Sequence, residues 1–191
     1  LVLSLSKGYN LNQMIARTEP KVLFSQRGIA AAVGRLAAEI TRDYRNKNPL
    51  LIGILKGSFV FMADLVRQLD FPLEVDFVRL SSYGQGTSAG KLKMLQDASS
   101  SVRGRHVLIV EDIVDTGHSV AFLLDYLGKK KPASLKLGVL TDKPSRRLVQ
   151  VTIDYLGLTV PDKFIVGYGM DWDDKFRNLP YIGYIETEDR V

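Results

Sequence analysis

The chain contains no cysteine, which excludes disulfides and Cys-ligated metal sites. Long hydrophobic runs are missing too. Stretches such as Leu50-Leu-Ile-Gly-Ile-Leu55 fall far short of the roughly 20 residues of a membrane span. No charged-then-apolar segment at the N-terminus reads as a secretory signal. A cytoplasmic location with no membrane partner is therefore the default expectation. Charge of neither sign dominates: 26 Lys and Arg against 21 Asp and Glu leave a net charge of +5. That modest excess points to anionic ligands. The one basic cluster, Lys129-Lys130-Lys131, sits at an expected helix end, where cations meet the helix dipole favourably. It does not form the one-faced basic patch of a nucleic-acid binder, so no nucleic-acid partner is expected. Internal repeats and long linkers are absent as well.

What is present is ordinary for a globular domain: 191 residues, 46% hydrophobic and 25% charged, enough for one domain with a sizeable core. Ser25 is placed to cap a helix from about Gln26 to Tyr44, with Ile29, Val33, Leu36, Ala37 and Ile40 on one face. Leu50–Leu55 is a continuous apolar run suited to a strand covered on both sides. A helix opens at Gly57-Ser58 and runs to about Leu69. Strands over Leu73–Leu80, Val107–Val110 and Leu135–Leu140 and a helix over Ser119–Leu127 complete an alternation that argues for an α/β domain with a parallel sheet. The C-terminal part reads differently. Val151–Leu156, Phe164–Gly167 and Tyr181–Ile185 are short strands without helices between them, an irregular lobe joined by the N-terminal segment. Ser81–Ser101, rich in glycine and hydroxyls, reads as a structureless loop, either an active-site lid or an inert surface loop.

The segment from Val107 to Ser119, VLIVEDIVDTGHS, carries the chemistry. A buried strand ends and two adjacent carboxylates, Glu111 and Asp112, appear at its C-terminal edge, where open parallel sheets bind ligands. A third, Asp115, follows. Thr116-Gly117-His118-Ser119 then leads into a helix, and such a turn offers backbone N–H groups to an anion with the helix dipole behind them. Any one of these acids alone could equally cap the helix or sit in solvent. All of them in this order fit a ligand that carries a phosphate and a polyol. Competing motifs fail. No G-x-x-x-x-G-K-[ST] occurs, Gly84-Gln85-Gly86-Thr87-Ser88-Ala89-Gly90 misses dinucleotide spacing, and Asp171-Trp172-Asp173-Asp174 lacks the glycine and final Glu of an EF-hand.

This segment resembles the phosphoribosyl-diphosphate signature of type I phosphoribosyltransferases, and of the hypoxanthine-guanine branch in particular. Four further stretches agree in order along nearly the whole chain. Leu55-Lys56-Gly57-Ser58 is similar to that branch's diphosphate loop, and Ser82-Tyr83 to the pair in its mobile catalytic loop. Asp142–Arg147 and Phe164–Arg177 are similar to its purine-binding elements. The resemblance implies a central, mainly parallel sheet flanked by helices with a small irregular hood lobe. It is one phosphoribosyltransferase domain over 1–191, its core at about 22–158 and its hood from about 1–21 and 159–191.

The same resemblance implies purine salvage. The 5-phosphoribosyl group passes from phosphoribosyl diphosphate to hypoxanthine or guanine, giving a nucleoside monophosphate and diphosphate. Glu111 and Asp112 should bind the ribose hydroxyls, directly or through Mg²⁺. Asp115 through Ser119 should cradle the 5′-phosphate, and Asp115 should also serve as catalytic acid or base near purine N7. Lys56, Gly57 and Arg177 should meet the diphosphate, with a non-proline cis peptide at Leu55–Lys56. Lys143 should donate to the purine 6-oxo group, since lysine only donates; that argues against adenine. Phe164 should stack on the base, the backbone of Ile165 should read its edge, and Asp171 should be a second Mg²⁺ ligand. His118 departs from the Lys or Asn common there in relatives, and makes phosphate affinity pH-dependent if the ring takes part. Dimers or tetramers are the family's usual assemblies, so a homodimer or homotetramer is expected. A regulatory, RNA-binding relative of the fold is the rival. Asp115 and the purine elements favour the enzyme.

Overall fold

The computed structural model describes residues 19–83 and 91–186, with Ser82, Tyr83 and Lys91 known through their backbones only. Elements in chain order are β1 (Lys21–Phe24), α1 (Gln26–Tyr44), β2 (Leu50–Leu55), α2 (Phe59–Val66), β3 (Glu74–Tyr83), β4 (Lys91–Gln96), β5 (His106–Val114), α3 (His118–Gly128), β6 (Ser134–Asp142), a 3₁₀ turn (Pro144–Arg146), β7 (Tyr155–Thr159), β8 (Phe164–Val166) and β9 (Ile182–Ile185).

A six-stranded sheet in the order β4-β3-β2-β5-β6-β7 forms the body. The pairs β3–β2, β2–β5, β5–β6 and β6–β7 are parallel, and only β4 runs antiparallel. Two apolar clusters pack the sheet. One gathers Val33, Leu36 and Ile40 of α1 with Phe61 and Leu65 of α2. The other gathers Val120, Leu123 and Leu127 of α3 with Ile52 and Ile109. Covered on both sides, β2 shows no polar alternation, as expected for a central parallel strand. From β2 the chain winds outward to β3; from β5 it winds the other way through β6 to β7. The β2–β5 boundary is thus a topological switch point, where open sheets form crevices at their carboxyl ends. A second sheet, β1-β9-β8, is antiparallel and draws its strands from both ends of the described chain.

Helix α1 spans the expected residues. Ser25 Oγ accepts from Gly28 N at 3.2 Å, and all five expected apolar positions are buried. Other expectations are corrected. Gly57 and Ser58 stay in a turn, so α2 starts at Phe59; it ends at Val66, where Gln68 N and Leu69 N bond three residues back instead of four. The Ser81–Ser101 segment is no structureless loop. Its first residues extend β3, and 91–96 form β4, paired antiparallel from Tyr83–Lys91 to Arg79–Gln96. The tip, 84–90, lies outside the described residues. Strand β5 does not stop at Val110. Ile113 and Val114 still pair with Thr141 and Asp142, so Glu111 and Asp112 lie inside the strand. Val151–Leu156 was expected to be a lobe strand. Instead Val151 and Ile153 only pack against the core, and 155–159 close the main sheet beside β6.

Candidate active site

A cavity of about 810 Å³ opens at the carboxyl ends of β2, β5 and β6, between them and the small sheet. Lys56 and Gly57 reach it from the turn after β2, and Glu111, Asp112 and Asp115 from β5 and the residue beyond it. Lys143 enters after β6, and Phe164, Ile165, Asp171 and Arg177 from β8 and the loop before β9. The fold thus brings together side chains separated by up to two-thirds of the chain. Thr116, Gly117, His118 and Ser119 do not line this space. They form the adjoining turn and the first residues of α3. Ser82 and Tyr83 end β3; their side chains lie outside the described residues.

Glu111 and Asp112 are buried at 8% and 7% exposure. Burial pushes the Glu111 carboxyl well above the usual carboxylate range, and the neighbouring Asp112 charge pushes it further. Its Oε2 has no hydrogen-bond partner. Burial likewise raises Asp112, to about 6, against the pull of the Asp112 and Ile113 backbone N–H groups and of Arg177. Two desolvated acids without a cation bonded to them destabilise the free protein, and strongly perturbed acids in a cleft mark functional sites.

The turn after Asp115 is held from behind. Gly117 has φ +89°, and a Cβ there would collide with the Val149 carbonyl oxygen, so glycine serves both the left-handed conformation and the close approach. Thr116 O accepts from Leu148 N at 3.0 Å and Val149 N at 2.9 Å. Arg147 Nε and Nη2 donate to Asp115 O and Val114 O, each at 3.1 Å, and Arg147 also pairs with Asp142. Helix α3 starts at His118 with no side-chain cap, which leaves first-turn N–H groups to an anion.

Opposite the turn, Lys143 is buried at 5% exposure. Its Nζ donates to Lys163 O at 2.8 Å and lies 3.7 Å from Asp115 Oδ2. Arg146 Nε lies 3.5 Å from Asp115 Oδ1. Phe164 is 43% exposed, its ring 5.9 Å from that of Trp172. Its ring is thus exposed at the cavity and not part of the core. Ile165 is buried in β8 and paired with Tyr184.

On the third side, the Leu55–Lys56 peptide is cis, as expected. Lys56 Nζ donates to Asp174 Oδ1 at 2.8 Å. Arg177 Nη2 donates to the same oxygen at 3.0 Å and lies 2.7 Å from Asp171 Oδ1, while its Nη1 donates to Gly169 O at 2.7 Å.

Glu111, Asp112 and Asp171 share the cavity but do not converge into a ready-made metal cage; no such group of three acids or histidines occurs among the described residues. The donor set still fits Mg²⁺. Its oxygens are hard, Glu111 Oε2 is buried and unpartnered, and Mg²⁺ characteristically takes one or two carboxylates and completes its shell with substrate and water.

Four contributions escaped the sequence reading: the Arg147 clamp, Arg146 beside Asp115, the Lys163 carbonyl on Lys143, and Asp174 between Lys56 and Arg177. Arg146, Arg147 and Asp174 lie in stretches already singled out and Lys163 just before one, but all of these contacts except Asp174 to Arg177 join residues distant in sequence, and spacing carries no signal for them.

A family profile described as phosphoribosyl transferase domain matches residues 21–173. The hypoxanthine-guanine phosphoribosyltransferase of Streptococcus pneumoniae is 46% identical over 176 residues, covering 92% of this chain and 98% of its own. Among solved structures, a hypoxanthine phosphoribosyltransferase from Staphylococcus aureus superposes with a TM-score of 0.86 at 38% identity, covering 92% of this chain and 96% of that one. A hypoxanthine-guanine phosphoribosyltransferase from Bacillus anthracis gives 0.83 at 42% identity, covering 89% and 100%.

Proposed function

This chain belongs to the phosphoribosyltransferase family, and on that premise we propose that it salvages purines, transferring the 5-phosphoribosyl group from phosphoribosyl diphosphate to hypoxanthine and guanine. The observation that carries the reading is the pairing, across one cavity, of the buried Lys143 with Asp115, the acid that opens the anion turn. A donor for an oxo group and an acceptor for a ring proton lie where one purine reaches both, with the Phe164 ring beside them.

In this reading Glu111 and Asp112 hold the ribose hydroxyls. The N–H groups from Thr116 to Ser119 hold the 5′-phosphate, which fixes the anomeric carbon. A purine nitrogen attacks that carbon as its C–O bond to diphosphate breaks, and the leaving group takes the bonding pair. The transition state has oxocarbenium character by analogy with glycoside chemistry. The ring proton at N7 goes to Asp115, a step for which a positioned base supplies roughly 10²–10⁴-fold. Lys143 donates to the 6-oxo group. Lys56 and Arg177 stabilise the charge that develops on diphosphate. Asp171, with Glu111 and Asp112, would hold Mg²⁺, which when bound neutralises that same charge. In this reading the core at about 22–158 and a hood from about 1–21 and 159–191 form one catalytic unit, of which 1–18 and 187–191 lie outside the described residues; β1 at 21–24 straddles their joint. A homodimer or homotetramer and a cytoplasmic location belong to the same reading.

Mixing the protein with hypoxanthine or guanine, Mg²⁺ and phosphoribosyl diphosphate should release diphosphate and form the nucleoside monophosphate. Salt-sensitive RNA binding without turnover would overturn the reading.

A further inference from the structure

We propose that Asp174 is a stand-in for the leaving diphosphate, a carboxylate that holds the two diphosphate-binding cations together in the free protein and gives them up when the ligand arrives. The inference rests on the roles proposed above for Lys56 and Arg177.

One oxygen, Asp174 Oδ1, accepts from both Lys56 Nζ and Arg177 Nη2, at 2.8 and 3.0 Å. The two cations come from distant elements, the turn after β2 and the loop before β9. Without an anion between them they would repel at short range. The partners are unequal. Arg177 keeps Asp171 Oδ1 and Gly169 O, both at 2.7 Å, whatever Asp174 does. Lys56 Nζ has no other hydrogen-bond or ion-pair partner among the described residues. Asp174 is therefore expendable for Arg177 but sets where Lys56 points.

The contact is also cheap to break. The Lys56 and Asp174 side chains are 50% and 66% exposed, and solvated pairs contribute little. The loop around Asp174 departs from ordinary backbone: Asp173, Asp174 and Phe176 have φ of +53°, +58° and +73°, in a region that non-glycine residues seldom occupy. Diphosphate offers several anionic oxygens where Asp174 offers one, so it displaces the carboxylate and inherits a cation pair already assembled. The carboxylate then competes with the ligand.

The test compares the parent with Asp174→Asn and Asp173→Asn. Asparagine tolerates positive φ better than most residues, and the Asp174 backbone N–H still donates to Asp171 Oδ2, so the loop geometry is kept. Asp173→Asn removes the same charge one residue away from a side chain bonded to neither cation. Binding of Mg²⁺-diphosphate is measured by calorimetry at fixed ionic strength, with the nucleoside monophosphate, which carries no diphosphate, as control ligand. The expected result is a roughly twofold to tenfold lower diphosphate Kd in Asp174→Asn, parental Kd in Asp173→Asn, and an unchanged monophosphate Kd in both. An unchanged or higher diphosphate Kd in Asp174→Asn overturns the proposal, as does an equal gain in Asp173→Asn, which would be a general charge effect. A parent that forms no nucleotide from hypoxanthine or guanine removes the functional reading instead, so the two failures are distinct.

Discussion

Lys143 Nζ lies 3.7 Å from Asp115 Oδ2 and donates to Lys163 O at 2.8 Å, in the cavity that Phe164 also lines. A buried ammonium this close to a carboxylate holds a donor and an acceptor at a separation that a fused ring can bridge. Lys143→Ala should therefore raise KM for hypoxanthine by roughly 10- to 100-fold, the weight of a charged hydrogen bond at about 1.5–3 kcal/mol, with little change in KM for phosphoribosyl diphosphate. Steady-state kinetics with each substrate varied in turn checks the split; the opposite pattern would put Lys143 on the other substrate.

Gly117→Ala tests the anion turn. The added Cβ meets the Val149 carbonyl oxygen at φ +89°, so the turn must move off the 148–149 backbone that bonds Thr116 O. Affinity for the nucleoside monophosphate should fall at least tenfold, of the order of 1–3 kcal/mol for a strained backbone. Parental affinity by calorimetry would show that the turn does not hold the phosphate.

Glu111 exchanges stability for function. Its folded-state pKa is raised by burial and by Asp112. The ionised form is penalised on folding, so the penalty is absent at low pH and present above the ordinary carboxylate range. Glu111→Gln should raise Tm at pH 8, by about 2–4 °C per kcal/mol in a chain of this size, with the gain vanishing below about pH 4, the ordinary Glu pKa, while KM for phosphoribosyl diphosphate rises. A lower Tm at pH 8 would mean that the carboxylate is paired in the free protein.

Asp43, at the end of α1, behaves oppositely. The Tyr155 hydroxyl first, then Lys136 at 2.9 Å, hold its carboxyl down to about 2. A depressed carboxylate contributes stability above its unfolded pKa near 4, and that contribution is lost as pH falls toward 2. Chemical denaturation from pH 5 to pH 2 should show a shallower loss for Asp43→Asn than for the parent. Equal slopes would remove Asp43 from the acid response.

The fold's centre was legible because its signals are local. The Ser25 cap and the 3.6-residue spacing of Ile29, Val33, Leu36 and Ile40 define α1, and the unbroken Leu50–Leu55 run defines β2. Strand β4 was not legible. It is an edge strand paired, among the described residues, with β3 alone, and the surrounding glycines and hydroxyls in the sequence speak for a loop. The end of β5 was missed for a related reason. Carboxylates read as strand terminators, yet here they are buried within pairing continued by Ile113 and Val114. In the site, the acids and the Thr116–Ser119 turn were legible from their order. Arg147 under the turn and Asp174 between two cations were not, because residues 30 and more than 100 positions away meet them only in the folded chain.

The most direct measurement of the central claim is nucleotide formation from hypoxanthine and guanine by the parent and by Asp115→Asn under saturating Mg²⁺ and phosphoribosyl diphosphate. The account predicts stoichiometric nucleoside monophosphate and diphosphate from the parent, and in the variant a kcat lower by roughly 10²–10⁴-fold with phosphoribosyl-diphosphate affinity largely kept. No nucleotide from the parent with either base, or near-parental turnover in the variant, would contradict it.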